Sequence, residues 1–167
     1  MSNEDGATLV SRAILIGGSA TAFMDVSAEV VRKITGVAPL NLALVGRWIG
    51  SMKDGKFLHE SIADSEPVED ERVIGVVAHY LIGIAFAGTA CRLLPEWVED
   101  PKLSTSLLVG LTTTAAPWLL MQPAFGLGFF ASKTPQPLVA AYRSLRAHAF
   151  YGIGLYLGGK LLKRAAK

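Results

Sequence analysis

A chain of 167 residues with a net charge of +2 is long enough for one domain and too evenly charged to suggest a nucleic-acid partner. Half of it is hydrophobic (51%) and its mean hydropathy is +0.39, more apolar than an ordinary water-soluble domain. The one cysteine, Cys91, excludes an internal disulfide and by itself makes no metal cluster. The composition points to a lipid bilayer, where about 19 residues with few charges mark a crossing helix, because they cover roughly 30 Å of hydrocarbon at about 1.5 Å per residue.

Four segments are expected to cross. The N-terminal flank MSNEDG is acidic where a secretory signal is basic, and the apolar stretch behind it is broken by Gly17 and Gly18, so the first segment reads as a span and not as a leader. That span, AILIGGSATAFMDVSAEVV (13–31), carries Asp25 and Glu29 in its last third. The second, VIGVVAHYLIGIAFAGTAC (73–91), carries His79. The third, about 104–130, has no charge between Lys102 and Lys133, and Pro117 and Pro123 predict a kink in it because each removes a backbone donor. The fourth, about 138–159, brings Arg143 and Arg146 into its first turns, where their long stems can snorkel to the interface.

The longest connection opens with APLNLALVGRWIG (38–50), too short to span and therefore expected to be an interfacial or re-entrant helix with Arg47 and Trp48 at headgroup level. Residues 51–72 turn polar, with ten charges in 22 residues and His59 among them, and are expected to be solvated. The connections PEWVEDPKL and SKTPQP are tight and contain proline, which favours antiparallel neighbours. The expected fold is all-α: a polytopic membrane protein, one membrane domain over 1–167, with four transmembrane helices in an up-down bundle.

An internal comparison divides the chain in two. AHYLIGI (78–84) laid over AHAFYGI (147–153) matches Ala, His, Gly and Ile at equal spacing, and GGSATA (17–22) over GLTTTA (110–115) keeps Gly, a hydroxyl, Thr and Ala in register. The reading is a 2+2 repeat, each half a small, hydroxyl-rich span followed by an Ala-His-x-x-x-Gly-Ile span. Helical spacing then groups Gly75, His79, Gly83 and Ala87 on one face, Ser144, His148 and Gly152 on another, and Gly18, Ala22, Asp25 and Glu29 on a third. Small-residue faces meet helices and not lipid. In the up-down order Asp25, Glu29, His79, Gln122, Arg143, Arg146 and His148 fall toward one end of the bundle, with Arg47, His59 and Lys133 contributed by connections on that side. The expectation is a polar cavity, because charge within a span is costly unless paired or hydrated. Lysine and arginine divide seven to nine between the two sides, so orientation is undecided, although KLLKRAAK tilts the termini toward the cytoplasm.

The order of ATAFMD, LNLALVGRWIG, GKFLHESI, VVAHYLIGIAFA, MQPAFGLGFFASKTPQP and RAHAFYGIGLYL resembles a bacterial family of small four-span integral membrane proteins known only as a domain of unknown function, over residues 10–160. The resemblance implies a bacterial inner-membrane location and carries over no activity, substrate or cofactor. The residues leave three classes open. One is a small-solute or proton-coupled carrier or channel, as a homo-oligomer because four helices are thin for alternating access. Another is a haem- or metal-binding redox protein, using His79 and His148 for haem or His59, His79, His148 and Asp25 for a transition metal. The last is a non-catalytic assembly protein. No nucleophile–base pair is recognisable, an enzyme is the lesser expectation, and no cofactor is expected. The partners expected are the bilayer, a second copy of the chain and an unidentified small molecule, with no nucleic acid.

Overall fold

The structure, a computed structural model, describes residues 3–165. Seven α-helices are found among them: α1 (Asn3–Thr35), α2 (Leu42–Ser51), α3 (Glu71–Leu93), α4 (Pro95–Glu99), α5 (Leu103–Thr112), α6 (Gln122–Ala124) and α7 (Pro137–Ala165). α1 ends with Arg32 and Lys33 against its negative end, and Gly36, at φ 73°, turns back to donate to the Arg32 carbonyl at 2.8 Å. Asn41 caps α2 by accepting from the Ala43 amide at 3.1 Å. With 10 residues, α2 is about 15 Å long, too short to cross, as expected.

Among the described residues three helices, not four, are long and apolar enough to cross a membrane: Gly6–Thr35, Glu71–Leu93 and Leu103–Ala124. This corrects the expected count. α7 has 29 residues, but only the 13 between Arg146 and Lys160 are uncharged, and they include His148, two tyrosines and four glycines. The third candidate also ends before the expected residue 130. Its prolines widen it instead of breaking it: Pro117–Met121 forms a π turn in which the Gln122 amide reaches back to the Pro117 carbonyl. Past Ala124 the chain leaves the helix at Gly126 (φ 84°), and Phe130 and Ala131 adopt left-handed angles of 54° and 58°.

The chain forms two compact units. The first contains α1, Tyr80–Thr113 and α7 from Ala147 onward. Its core is Ile16, Ala20, Ala87, Ala90, Cys91, Trp97, Tyr151 and Leu155. The helices touch through backbone: a Cβ on Gly17 would lie 2.6 Å from the Ile84 Cα, one on Gly154 2.6 Å from the Ala20 Cα, and one on Gly110 2.6 Å from the Gly152 Cα. That proximity lets the Tyr151 hydroxyl donate to the Gly83 carbonyl, while the Trp97 indole donates to Ser106 Oγ at 2.9 Å. Large aliphatics such as Ile14, Leu15, Val26, Leu81 and Leu108 are exposed instead. Small residues inside and branched ones outside suit a helix surrounded by hydrocarbon.

The second unit comprises Leu40–His79 and Thr114–Arg146. α2 lies against the start of α3, with Gly46 on the Glu71 carbonyl and Gly75 on that of Leu42. The 51–72 connection is largely exposed, as expected, but it is not loose. Ile62 is buried with Val45, Ala124 and Phe125, and the His59 and Ile62 amides donate to the Ala124 and Phe125 carbonyls at 2.9 and 3.1 Å. Arg47 fixes the arrangement. Its Nε and Nη2 donate to the two Glu71 carboxylate oxygens at 2.8 and 3.0 Å, and Nη1 reaches the carbonyls of Ile62, Ala63 and Ser65 at 3.2, 3.1 and 2.8 Å.

Two consequences are measurable. Gly17→Ala forces α1 off α3 and should cost about 1–3 kcal/mol. Gly18→Ala, where a Cβ meets nothing within 4 Å, should be neutral or gain up to about 1 kcal/mol from helix propensity; equal melting temperatures for the two in detergent would contradict this packing. Arg47→Ala should lose about 2–3 kcal/mol, the scale of charge-assisted hydrogen bonds, and open residues 55–66 to limited proteolysis. Arg47→Lys should restore little, because an ammonium cannot reproduce the fork.

Candidate functional site: polar side chains of the long helices

In the first unit Asp25 is half-buried on α1 with the Tyr80 phenol beside it. One turn on, Glu29 is directed elsewhere: its oxygens accept from Arg32 at 2.6 and 2.7 Å, with both side chains nearly half exposed. Such a pair contributes little. The face expected to carry Asp25 and Glu29 inward also included Gly18, but it is Gly17 that meets α3. At the far end of this unit Lys163 donates to Asp100 at 2.9 Å, and that hydrogen bond holds the Asp100 carboxyl below the usual carboxylate range.

His148, half-buried on α7, places Nδ1 2.7 Å from Thr113 Oγ1. The Thr113 hydroxyl also lies 2.6 Å from the Gly110 carbonyl; with its one proton on that carbonyl it accepts from the imidazole, an arrangement that places the proton of a neutral His148 ring on Nδ1.

In the second unit His79 is half-buried on α3. Gln122 is buried, 7% exposed; its Nε2 lies 3.5 Å from Ser144 Oγ, a long contact, and its Oε1 has no partner among the described residues. Arg143 and Lys133 are exposed, and the Arg146 guanidinium lies over the Tyr142 ring at 5.8 Å. Arg47 is committed to Glu71, whose carboxylate bonds hold the guanidinium above its ordinary range. His59 repeats the device seen at His148: Nδ1 lies 2.9 Å from Ser65 Oγ, and Ser65 donates to the Ser61 carbonyl at 2.8 Å. Its Nε2 is buried with no partner among the described residues.

Within the units, then, the structure joins His148 to Thr113, Asp25 to Tyr80 and Gln122 to Ser144, and it assigns Glu29 and Arg47 to local ion pairs. Thr113, Thr114, Trp118 and Tyr80 escaped the sequence reading. Spacing offered a signal for two of them, since Thr114, Trp118 and Gln122 are four residues apart. Among the described residues no group of three His, Cys, Asp or Glu side chains is placed to hold a metal ion.

The segments that carry these groups, from before Asp25 to beyond His148, fall inside one family match, a protein of unknown function (DUF2938), over residues 14–162. The chain belongs to the DUF2938 family. No curated protein and no solved structure matches it. The DUF2938 match covers the second and third candidate membrane helices whole, the first from residue 14 onward, and both histidine motifs.

The hydroxyl arrangement fixes a tautomer, which NMR can read. In ¹⁵N-histidine spectra above pH 7.5, His148 and His59 should both appear as the Nδ1–H form. Thr113→Val should abolish that preference at His148 only, and Ser65→Ala at His59 only. An Nε2–H signal at His148 in the wild-type protein would refute the assignment.

Proposed function

We propose that this DUF2938 protein is an integral protein of a bacterial inner membrane, a small-solute or proton-coupled carrier or channel that conducts protons, with Asp25 and His148 as the groups that pass them. The observation that carries the reading is that both groups are half-buried in one unit of tightly packed helices, each beside a hydroxyl, Tyr80 and Thr113. Hydrocarbon makes a carboxyl costly, so the presence of Asp25 in a helix apolar enough to cross is a mark of function. Carboxyls and imidazoles within membrane helices are also the groups from which proton relays are built.

In this reading α7 is the fourth crossing. At 29 residues it is about 43 Å long, and Gly152, Gly154 and Gly158 pack it against α5 and α1. Four crossings place both termini on one side and the 51–72 connection on the other. A bundle this small works as a homo-oligomer.

The flux test uses proteoliposomes with a trapped pH dye and an imposed potassium-valinomycin potential. Wild-type protein should acidify the lumen faster than protein-free vesicles, and Asp25→Asn or His148→Gln should cut that rate at least tenfold, about 1.4 kcal/mol on the barrier, with insertion and melting temperature retained. A rate no faster than in empty vesicles, or variants that lose stability and keep flux, would sink the proposal. For topology, single cysteines at Gly6 and Ala165 in a Cys91→Ala background should label from the same side; labelling from opposite sides would leave three crossings.

A further inference from the structure

The helix Leu103–Ala124 contains three polar residues at four-residue spacing: Thr114, Trp118 and Gln122, all in the second unit. Spacing of four places them along one helical face, and the π turn at Pro117–Met121 lies between the first and the last. Thr114 is 1% exposed and Gln122 7%. Thr114 Oγ1, Trp118 Nε1 and Gln122 Oε1 are each buried, and none has a hydrogen-bond partner among the described residues. Packing fixes the indole, because the Trp118 ring lies 5.2 Å from that of Phe130. The Gln122 amide is oriented from its other end, where Nε2 is directed at Ser144 Oγ.

Buried polar atoms without partners are rare because each forfeits a hydrogen bond it had in water. One can be an accident of packing. Three in a row, on a helix apolar enough to cross a membrane and beside a π turn of the kind that recurs at functional positions, form a template. Its chemistry is specific. Trp118 offers a donor only, Gln122 Oε1 an acceptor only, and Thr114 serves as either. None of the three carries charge, and an ion held by them alone would remain uncompensated at a cost far above a lost hydrogen bond.

We infer that Thr114, Trp118 and Gln122 form a binding site for a small neutral molecule that both donates and accepts hydrogen bonds, of the primary-amide or alcohol class. The ligand's oxygen accepts from the Trp118 indole, its N–H or O–H donates to Gln122 Oε1, and the Thr114 hydroxyl completes the set. The inference uses none of the groups assigned to proton movement, so it stands or falls separately from that reading.

The test is an NMR titration of the full-length protein, ¹⁵N-labelled at its three tryptophans and held in lipid nanodiscs. Acetamide and glycerol are the neutral probes, acetate and methylammonium the ionic ones. Acetamide should move the Trp118 indole resonance saturably and leave unmoved those of Trp97, bonded to Ser106, and Trp48, bonded to the Phe57 carbonyl. The ions should do nothing at the same concentrations. Thr114→Val, nearly isosteric, and Gln122→Leu should each weaken acetamide about tenfold, the equivalent of one buried hydrogen bond; if Gln122→Leu fails to fold, Thr114→Val decides alone. No saturable shift with either neutral probe means that the three residues hold water alone, and that overturns the inference. So does an equal response to acetate, or unchanged affinity in Thr114→Val.

Discussion

The first unit depends on backbones that touch. Helices in hydrocarbon gain nothing from hiding aliphatic surface from one another, because lipid tails are as apolar as leucine; what holds them is close packing and the hydrogen bonds that close packing permits. Gly17, Gly110 and Gly154 give that approach, each leaving room for a neighbour's Cα where a Cβ would collide. The polar contacts follow from it. Tyr151 reaches the Gly83 carbonyl, and Thr113 meets His148, only because α3, α5 and α7 lie this near one another. The exposure of Leu81, Leu108 and Leu157 is the same fact seen from outside.

The glycines also bear on the internal repeat. If 17–22 corresponds to 110–115 and 78–84 to 147–153, Gly17 stands for Gly110 and Gly83 for Gly152. In the structure Gly17 packs on Gly83 and Ile84, and Gly110 packs on Gly152. Gly17 and Gly110 each meet the following long helix at a glycine, the close approach that small residues give any packed pair of membrane helices. One hydroxyl differs between the two stretches: Thr21 donates to the Gly17 carbonyl at 2.8 Å, whereas Thr114 Oγ1 has no partner among the described residues.

Much of this was legible in the sequence. The stripes Gly75–Gly83–Ala87 and Ser144–His148–Gly152 were read from spacing, and in the structure Gly83, Ala87 and Gly152 are buried while His148 and Ser144 bond toward the helix 103–124. A fixed periodicity can find such faces because a helix repeats them. It failed on α1, where Gly17 and Gly18 are adjacent and spacing alone could not say which one meets α3. It also failed on Glu29, since an arginine three residues on was enough to draw the carboxylate outward. The end of the third span was missed because AFGLGFF is apolar by composition. What ends the helix there is a run of positive φ angles, at Gly126, Gly128, Phe130 and Ala131, to which hydropathy is blind.

α7 shows why composition and packing can disagree. Hydropathy scores each residue as if it faced lipid, so glycine, tyrosine, serine and histidine all lower the sum. In α7 Tyr151, Gly152, Gly154, Gly158 and Gly159 are buried together with Leu155, while Tyr142, Leu145, Leu157 and Leu161 are exposed. A helix that contacts its neighbours through backbone must spend its inner face on small residues, and one that also holds a histidine against a partner hydroxyl must spend more. The average over such a helix falls as its contacts improve. The low apolar content of α7 thus goes with its backbone contacts to α1 and α5, and hydropathy alone does not separate a closely packed helix from one that stays outside the bilayer.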